Sequence, residues 1–232
     1  MTKNVDVIGK KTLRGSILGK QNDQPNWIDI LSSYGAIKSI PHGEPVHFQG
    51  EKSKTIGFII SGTAKASIYS KQGQETWVGA FKEGDFFGYA ELLTDTPIDF
   101  EIMTETDLQV LLIPAQKFTD ILSSHDALAT SMANDLAMRL KHMTNRLIEA
   151  VTLSSPGRVC AELLRLSKPV GVDPSKLIVR PNPVFIDLAL RVNSTRETVS
   201  RTVNELQRSG ILSRESGALL IAKPDTLRAK VK

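Results

Sequence analysis

The pattern of apolar and polar positions changes near Pro114 and divides the chain into two regions. Between Ile37 and Ile113, eight glycines separate short runs of β-prone residues, four of which predict strands over 55–60, 64–69, 75–80 and 108–113. Many short strands with frequent turns predict a β-sandwich, barrel or roll. The second run shows the period of a strand, with Ala64, Ala66 and Ile68 alternating with Lys65, Ser67 and Tyr69.

Beyond Pro114, apolar residues recur at steps of three and four, which predicts one long helix over 123–153. Ser123 and Ser124 are candidate caps, with Asp126 in the first turn. A helix of this length cannot bury its whole stripe on a small β domain, so we expect self-association along it; packing within its own subunit is the alternative. The predicted dimer interface is Leu128, Met132, Leu136, Leu140, Met143, Leu147 and Val151.

The C-terminal third predicts a winged helix-turn-helix. Ser155-Pro156-Gly157 ends the long helix, a short helix follows over 186–192, and Asn193 suits a left-handed turn. Ser194 and Glu197 have the spacing of a capping box for a second helix, and residues 211–222 predict a β-hairpin wing. The second helix is amphipathic: Val199, Val203 and Leu206 form the buried face, whereas Glu197, Ser200, Arg201 and Asn204 lie opposite and Arg196 lies in the exposed first turn.

Charge is distributed unevenly along the chain. Residues 1–24 carry a net charge of +3, residues 25–154 carry −6, and residues 155–232 carry +7. A basic domain joined to an acidic one is typical of proteins with one polyanion-binding domain, although a solvated basic face would give the same balance. The polar, basic residues 1–24 predict a flexible arm.

Several classes of protein are disfavoured. We expect a cytoplasmic protein without membrane contact, because no apolar run suits a membrane span or a signal peptide. The lone Cys160 excludes an internal disulfide and a cysteine-bound cluster, and no catalytic motif is present, so we expect no cofactor, no metal and no enzymatic activity. Haem stays open on the chain's histidines, which are His42, His47, His125 and His142.

The exposed side of the second helix suits the major groove of DNA. Arginine can donate two parallel hydrogen bonds to guanine, and glutamate can accept one from cytosine. The alternative is a salt-bridged surface, because Glu197 and Arg201 have the spacing of a helical ion pair. The wing and the basic balance favour DNA.

The order of these parts resembles the Crp/Fnr family of bacterial transcription regulators over about residues 25 to 225. Three motifs carry the resemblance: Gly84-Asp85-Phe86-Phe87-Gly88, Gly157-Arg158-Val159, and Asp187-Leu188-Ala189 followed by residues 194–201, Ser-Thr-Arg-Glu-Thr-Val-Ser-Arg. The resemblance implies base contacts by Arg196, Glu197 and Arg201, phosphate contacts by Thr195 and Thr198, and a dimer on a near-palindromic operator. We also expect Ser200 and Asn204 at the DNA backbone, whereas Val184 replaces a threonine that often binds phosphate in the family.

The candidate effector pocket departs from the cyclic-nucleotide-binding members of this family. Those members have Gly-Glu-Leu followed by Arg-Ser, whereas this chain has Ala90-Glu91-Leu92 and Ile98-Asp99. No arginine occurs between Arg14 and Arg139, so the sensor domain offers no guanidinium for a phosphate. We therefore predict a roll that binds no cyclic nucleotide, with a candidate pocket at Gly88, Glu91, Leu92, Ile98 and Asp99.

The sequence thus predicts an α+β protein: a flexible arm (1–24), a β-roll sensor domain (25–122), a dimerisation helix (123–153) and a winged helix-turn-helix DNA-binding domain (154–232). The predicted function is a transcription regulator with double-stranded DNA, a second copy, RNA polymerase and an unknown small effector as partners. A regulatory subunit that binds a ligand and acts through protein contacts is the alternative.

Overall fold

The computed structural model describes residues 27–171 and 173–232, without the side chains of residues 173 and 174. The predicted arm over 1–24 lies outside the described residues. The N-terminal part contains eight strands and three short helices before the long helix. They are α1 (Trp27–Leu31), β1 (Ala36–Ile40), β2 (Pro45–His47), β3 (Thr55–Ser61), β4 (Thr63–Tyr69), β5 (Glu75–Lys82), β6 (Phe86–Phe87), α2 (Tyr89–Thr94), β7 (Glu101–Thr104), β8 (Leu108–Pro114) and α3 (Ala115–Ser124).

The strands form two antiparallel four-stranded sheets, in the orders β1-β8-β3-β6 and β2-β7-β4-β5. All four predicted strands are present, as is the predicted roll. The alternation predicted for β4 continues only to Ala66, because the register with β5 shifts between Ala66 and Ser67. A bulge of this kind turns the following side chains over. Ser67 is therefore buried and Ile68 is exposed.

Strands β3 and β8 of the first sheet bury side chains on both faces. Ile59 and Val110 point into the roll interior with residues of the second sheet, whereas Phe58 and Leu111 belong to a cluster on the outer face. Helices α1 and α3 cover that outer face through Leu31 and Phe118, among others.

The long helix α4 (Asp126–Thr152) completes this cover with its first two turns. Leu128 and Met132 are buried there, 0% and 4% exposed, in the outer-face cluster of their own subunit. The prediction that these two residues belong to a dimer interface is therefore wrong. The caps were also placed wrongly: Ser123 and Ser124 end α3 and donate to the carbonyls of Thr119 and Asp120.

The C-terminal part has its own core around Val159, Leu188, Val203 and Ile221. Its elements are α5 (Ser155–Leu166), β9 (Lys168–Val170), β10 (Asp173–Val179), α6 (Phe185–Arg191), α7 (Arg196–Arg208), β11 (Leu212–Glu215), β12 (Ala218–Ile221) and α8 (Pro224–Arg228). The hairpin of β11 and β12 extends into an antiparallel sheet of order β11-β12-β10-β9, so the wing has two more strands than the sequence predicted.

Candidate nucleic-acid interface

The turn between α6 and α7 sets the direction of α7. Asn193 has a φ of 47°, the left-handed conformation predicted for it. The cap of α7 is Thr195 rather than Ser194: its hydroxyl oxygen accepts from the Thr198 amide at 3.2 Å, and α7 begins at Arg196. The capping interaction therefore lies one residue later than the sequence predicted.

The two faces of α7 differ as expected. Val199, Val203 and Leu206 are buried in the C-terminal core at 0%, 0% and 3% exposure. Thr195, Arg196, Glu197 and Arg201 are exposed, and Thr198, Ser200 and Asn204 are half-buried. None of the seven predicted DNA-contacting residues is buried in the core, and together they are called the α7 surface below.

The arginines of the α7 surface are free of partners. Within the described part of the chain, neither Arg196 nor Arg201 makes a hydrogen bond or an ion pair within 4.0 Å, and none joins Glu197 to Arg201. The salt-bridged alternative is therefore absent. The pKa of Glu197 is lowered by a hydrogen bond from its own backbone amide and by the Thr195 hydroxyl, so Glu197 remains an anionic acceptor.

Arg158 holds the turn of the helix-turn-helix to the end of the long helix. Its guanidinium donates to the carbonyls of Val192 at 2.8 Å, Leu153 at 3.0 Å and Asn193 at 3.1 Å. The preceding Gly157 leaves space for the backbone of Lys232, whose oxygen lies 2.2 Å from where a Cβ would be. The Gly157-Arg158-Val159 motif therefore has a packing role beside the DNA-binding elements.

The remaining members of the predicted helical stripe are exposed on α4. Leu136 is 38% exposed, Leu140 70%, Met143 50%, Leu147 66% and Val151 78%. Ile148, which the stripe did not include, is also exposed at 53%. Contiguous exposed apolar side chains of this kind are typical of protein interaction sites.

Two family models match the chain in the same order as the two domains. A cyclic nucleotide-binding domain matches residues 37–125, and a Crp-like helix-turn-helix domain matches residues 157–230. The chain belongs to the Crp/Fnr family of transcription regulators.

Relatives and solved structures agree with this assignment. The CRP-like cAMP-activated global transcriptional regulator of Mycobacterium tuberculosis is 23% identical over 91% of this chain and 95% of its own. The global nitrogen regulator of Synechococcus elongatus is 26% identical over 82% and 87%. The fold is also that of a CooA mutant from Carboxydothermus hydrogenoformans, with a TM-score of 0.77, 17% identity and coverage of 90% and 97%.

The Crp/Fnr motif Gly84-Asp85-Phe86-Phe87-Gly88 joins the two cores of the roll. Phe86 packs into the outer-face cluster and Phe87 into the roll interior. Asp85 accepts from the Lys82 amide at 2.9 Å, and burial raises the pKa of its carboxyl group to about 6.

The candidate effector residues of this Crp/Fnr roll do not all face one space. Gly88, Glu91 and Ile98 are buried, and Asp99 is exposed. Leu92 packs against the outer-face cluster with Phe86 rather than in the roll interior, so its assignment to a pocket is corrected. Gly88, which precedes α2, has a left-handed φ of 82°.

A guanidinium that sequence reasoning missed does reach the roll. Arg139 of α4 donates to Asp135 at 2.7 Å and to the Phe86 carbonyl at 3.4 Å, and it lies 4.8 Å from the Phe81 ring centroid. Asp135 also accepts from the Tyr89 hydroxyl. Asp135 thus joins Arg139 of α4 to Tyr89 of α2 where the roll meets the long helix.

Other site classes find no support within residues 27–171 and 173–232. No cluster of three or more histidine, cysteine or carboxylate side chains could hold a metal ion. Cys160 is buried in the C-terminal core, and burial raises the pKa of its thiol to about 11, which disfavours the reactive thiolate. In the same ranges, no helix has both the length and the apolar composition that a membrane crossing needs.

Proposed function

We propose that this Crp/Fnr regulator binds a near-palindromic operator as a homodimer, with one α7 surface in each of two successive major grooves. The observation that carries the proposal is the α7 surface, where Arg196 and Arg201 are exposed and unpaired beside an ionised Glu197. Unpaired guanidiniums at the first turns of such a helix can donate to guanine edges. Thr195, Thr198, Ser200 and Asn204 surround them with hydroxyl and amide groups suited to the DNA backbone.

The homodimer is proposed from the exposed half of α4. Leu140, Met143, Leu147 and Val151 project into solvent over the last four turns, beyond the part that the roll covers. A second copy of α4 packed along this stripe buries the same residues on both subunits, as a two-fold interface requires. RNA polymerase is the proposed downstream partner of the DNA-bound dimer.

We also propose that the roll does not bind cyclic nucleotides. Arg139 lies over the ring of Phe81, a residue of the roll interior, and Asp135 already pairs with it at 2.7 Å. At the place of the family's Arg-Ser pair, Ile98 is buried at 3% exposure and Asp99 carries the charge that repels a phosphate.

Selection from random duplexes tests DNA binding directly. We expect an enriched sequence with two-fold symmetry, bound roughly 10³-fold or more tightly than random DNA. The logarithm of the affinity should fall linearly with the logarithm of the salt concentration. Failure to bind any duplex even in dilute buffer would overturn the proposal and favour a regulatory subunit that acts through protein contacts.

Sedimentation of Leu147→Asp tests the dimer. Two carboxylates buried at this stripe cost several kcal/mol, so we expect the variant to sediment as a monomer at concentrations where the parent is a dimer. Leu93→Asp is the matched control, because Leu93 on α2 is similarly exposed, at 58% against 66%, but lies outside the stripe. A monomeric parent would disprove the interface.

Calorimetric titration with cyclic AMP and cyclic GMP tests the sensor domain. We expect no saturable heat at the roll. Micromolar affinity for either nucleotide would contradict this part of the proposal and leave the DNA-binding part intact.

A further inference from the structure

A cavity of about 190 Å³ lies where the roll, the long helix and the DNA-binding domain meet. Its walls come from β5, α4, α5, α6 and the turn after α6, and the volume is several times the roughly 30 Å³ that one water occupies. One aromatic ring, Trp77, lines it. So do four arginines and a single carboxylate, which are Arg146, Arg158, Arg165, Arg191 and Glu149.

The nearby carboxylates do not balance these four guanidinium groups. Arg165 pairs with Glu149 at 2.5 Å and with the buried Glu162, which also pairs with Arg146 at 3.1 Å. Arg158 is held by neutral acceptors, namely backbone carbonyls and the Ser155 hydroxyl, so its charge has no counter-ion within 4.0 Å in the described structure. Within 4.0 Å, three carboxylates thus serve three of these arginines, and the fourth, Arg158, has none.

Arg191 leaves hydrogen-bonding capacity unused. Its nearest carboxylates are Glu105 at 3.7 Å and Glu162 at 4.0 Å, both beyond hydrogen-bond distance. Its guanidinium carbon lies 4.9 Å from the Trp77 ring centroid, and that of Arg146 lies 4.3 Å from the same centroid. The buried indole N–H of Trp77 has no acceptor among the described residues. The Trp77 indole is thus an unsatisfied buried donor beside the partly exposed Arg191, while Glu162 Oε1, 4.0 Å from Arg191, is a buried acceptor without a hydrogen bond in the described structure.

The electrostatics agree with this geometry. Burial lowers the pKa of Arg146, and the positive charges of Arg165 and Arg191 act in the same direction, against Glu162 and Glu149. Next to them, the pKa of His142 is lowered by burial and then by Arg165 and Arg146. Burial also lowers the pKa of Arg165, but Glu162 and Glu149 outweigh it and raise that pKa above its ordinary value. The uncompensated positive charge therefore lies at Arg146, and an anion in the cavity would reduce it.

We propose that the cavity binds one small oxyanion of the phosphate class, as free phosphate or as the phosphoryl group of a small organic molecule. Arginine's planar fork matches phosphate oxygens, and such charge-assisted hydrogen bonds are roughly twice as strong as neutral ones. Arg191 and the Trp77 indole supply the free donors, and Arg146 and Arg158 supply the positive field. Because Trp77 belongs to the roll and Arg191 to the DNA-binding domain, the bound anion stabilises the packing of the two domains.

Calorimetric titration of the full-length protein, in chloride buffer of matched ionic strength and without DNA, tests this site. The probes are inorganic phosphate, pyrophosphate and phenyl phosphate. We expect saturable binding of one anion per chain and a higher melting temperature in its presence. Binding of phosphate or pyrophosphate assigns the site to a free anion, and binding of phenyl phosphate alone assigns it to an organic phosphate. No saturable binding of any probe would overturn the proposal.

Arg191→Gln should weaken the binding about ten-fold or more, because it removes charge-assisted hydrogen bonds to the anion. Trp77→Phe keeps an aromatic ring and removes one donor, so we expect a smaller loss, about two-fold to ten-fold. Arg208→Gln is the matched control: it removes an exposed arginine from the last turn of α7, outside the cavity and outside the proposed DNA contacts, and should leave the affinity unchanged. Equal loss in Arg191→Gln and Arg208→Gln, or no loss in Arg191→Gln, would show that the anions bind elsewhere.

Discussion

Two groups of arginines in this regulator differ in burial and in partners. On the α7 surface, Arg196 and Arg201 are exposed and have no partner within 4.0 Å in the described chain. Around Trp77, the side chains of Arg146 and Arg165 are only partly buried, 24% and 35% exposed, and are held by Glu162. An exposed arginine keeps its hydration until a polyanion arrives, whereas a buried one needs a partner in the folded protein. The same residue type thus serves recognition in one region and domain packing in the other.

Removal of Glu162 should have the largest effect on stability, because Glu162 pairs with the arginines around Trp77. Glu162 is 1% exposed and pairs with Arg146 at 3.1 Å and with Arg165. Glu162→Ala leaves Arg146 and Arg165, which are 24% and 35% exposed, without this acceptor, so we expect the free energy of unfolding to fall by about 3 kcal/mol, the lower end of the range for fully buried pairs. Urea unfolding followed by circular dichroism measures it. Glu162→Gln, which keeps an acceptor oxygen, should lose less, and a loss below about 1 kcal/mol in Glu162→Ala would contradict the role of this carboxylate.

The stability of the protein should depend on pH through Asp85, a buried carboxylate near Arg139 of α4. Its folded-state pKa of about 6 lies above the ordinary 3.8 because burial opposes ionisation, although Arg139 lies nearby. The folded state therefore binds this proton more tightly than the unfolded state, and stability falls as pH rises between those values. Below about pH 4 the penalty is absent.

Asp85→Asn should remove that penalty and keep the acceptor for the Lys82 amide. Relative to the parent, we expect the variant to gain about 3 kcal/mol of stability between about pH 4 and about pH 8. Urea titrations at both pH values measure the difference. Asp120→Asn, at an exposed position of α3, controls for the loss of one carboxylate. A pH-independent effect of Asp85→Asn would show that the parent's Asp85 has no raised pKa.

Arg196→Ala tests the proposed role of the α7-surface arginines in DNA binding. We expect a loss of about 1–3 kcal/mol in operator binding for each lost bidentate base contact, and loss of preference at one base pair in each half-site. Arg208→Ala is the matched control, because Arg208 is exposed in the last turn of the same helix. Fluorescence anisotropy on selected and base-substituted operators measures both. Unchanged affinity and selectivity in Arg196→Ala would remove Arg196 from the base-contacting residues.

The exposed arginines of the α7 surface were predictable from the sequence, whereas the paired arginines around Trp77 were not, for a physical reason. The two faces of α7 follow from the positions of Val199, Val203 and Leu206 on one helix, which is a local pattern. The pairing of Glu162 with Arg146 depends on how α5 packs against α4, and no local pattern encodes it. The roll was predicted well for the same reason, because its strands are separated by glycines and turns.

The error on α4 had a detectable signal. The run over 55–60 is almost continuously apolar, which is typical of a strand buried on both faces. Ile56 and Phe58 indeed need a cover on the outer face, and α3 and the start of α4 supply it. The pattern of that strand therefore implied that part of the stripe, Leu128 and Met132, would be used within the subunit.

Removal of the cap of α7 should have the smallest effect on stability. It also distinguishes helix capping by Thr195 from a contact of Thr195 with DNA. Thr195 accepts from the Thr198 amide, whereas Ser194 precedes the cap, so Thr195→Ala should cost about 1 kcal/mol of stability and Ser194→Ala should cost less. Thr195→Ser keeps the acceptor and should keep the stability. Thermal unfolding of the three variants measures this order, and an equal loss in Ser194→Ala would restore the cap to Ser194. Thr195 also lies where DNA phosphate is proposed to bind. A loss of operator-binding free energy in Thr195→Ala that exceeds its loss of stability would show a direct contact with DNA. Equal losses would assign Thr195 to helix capping alone.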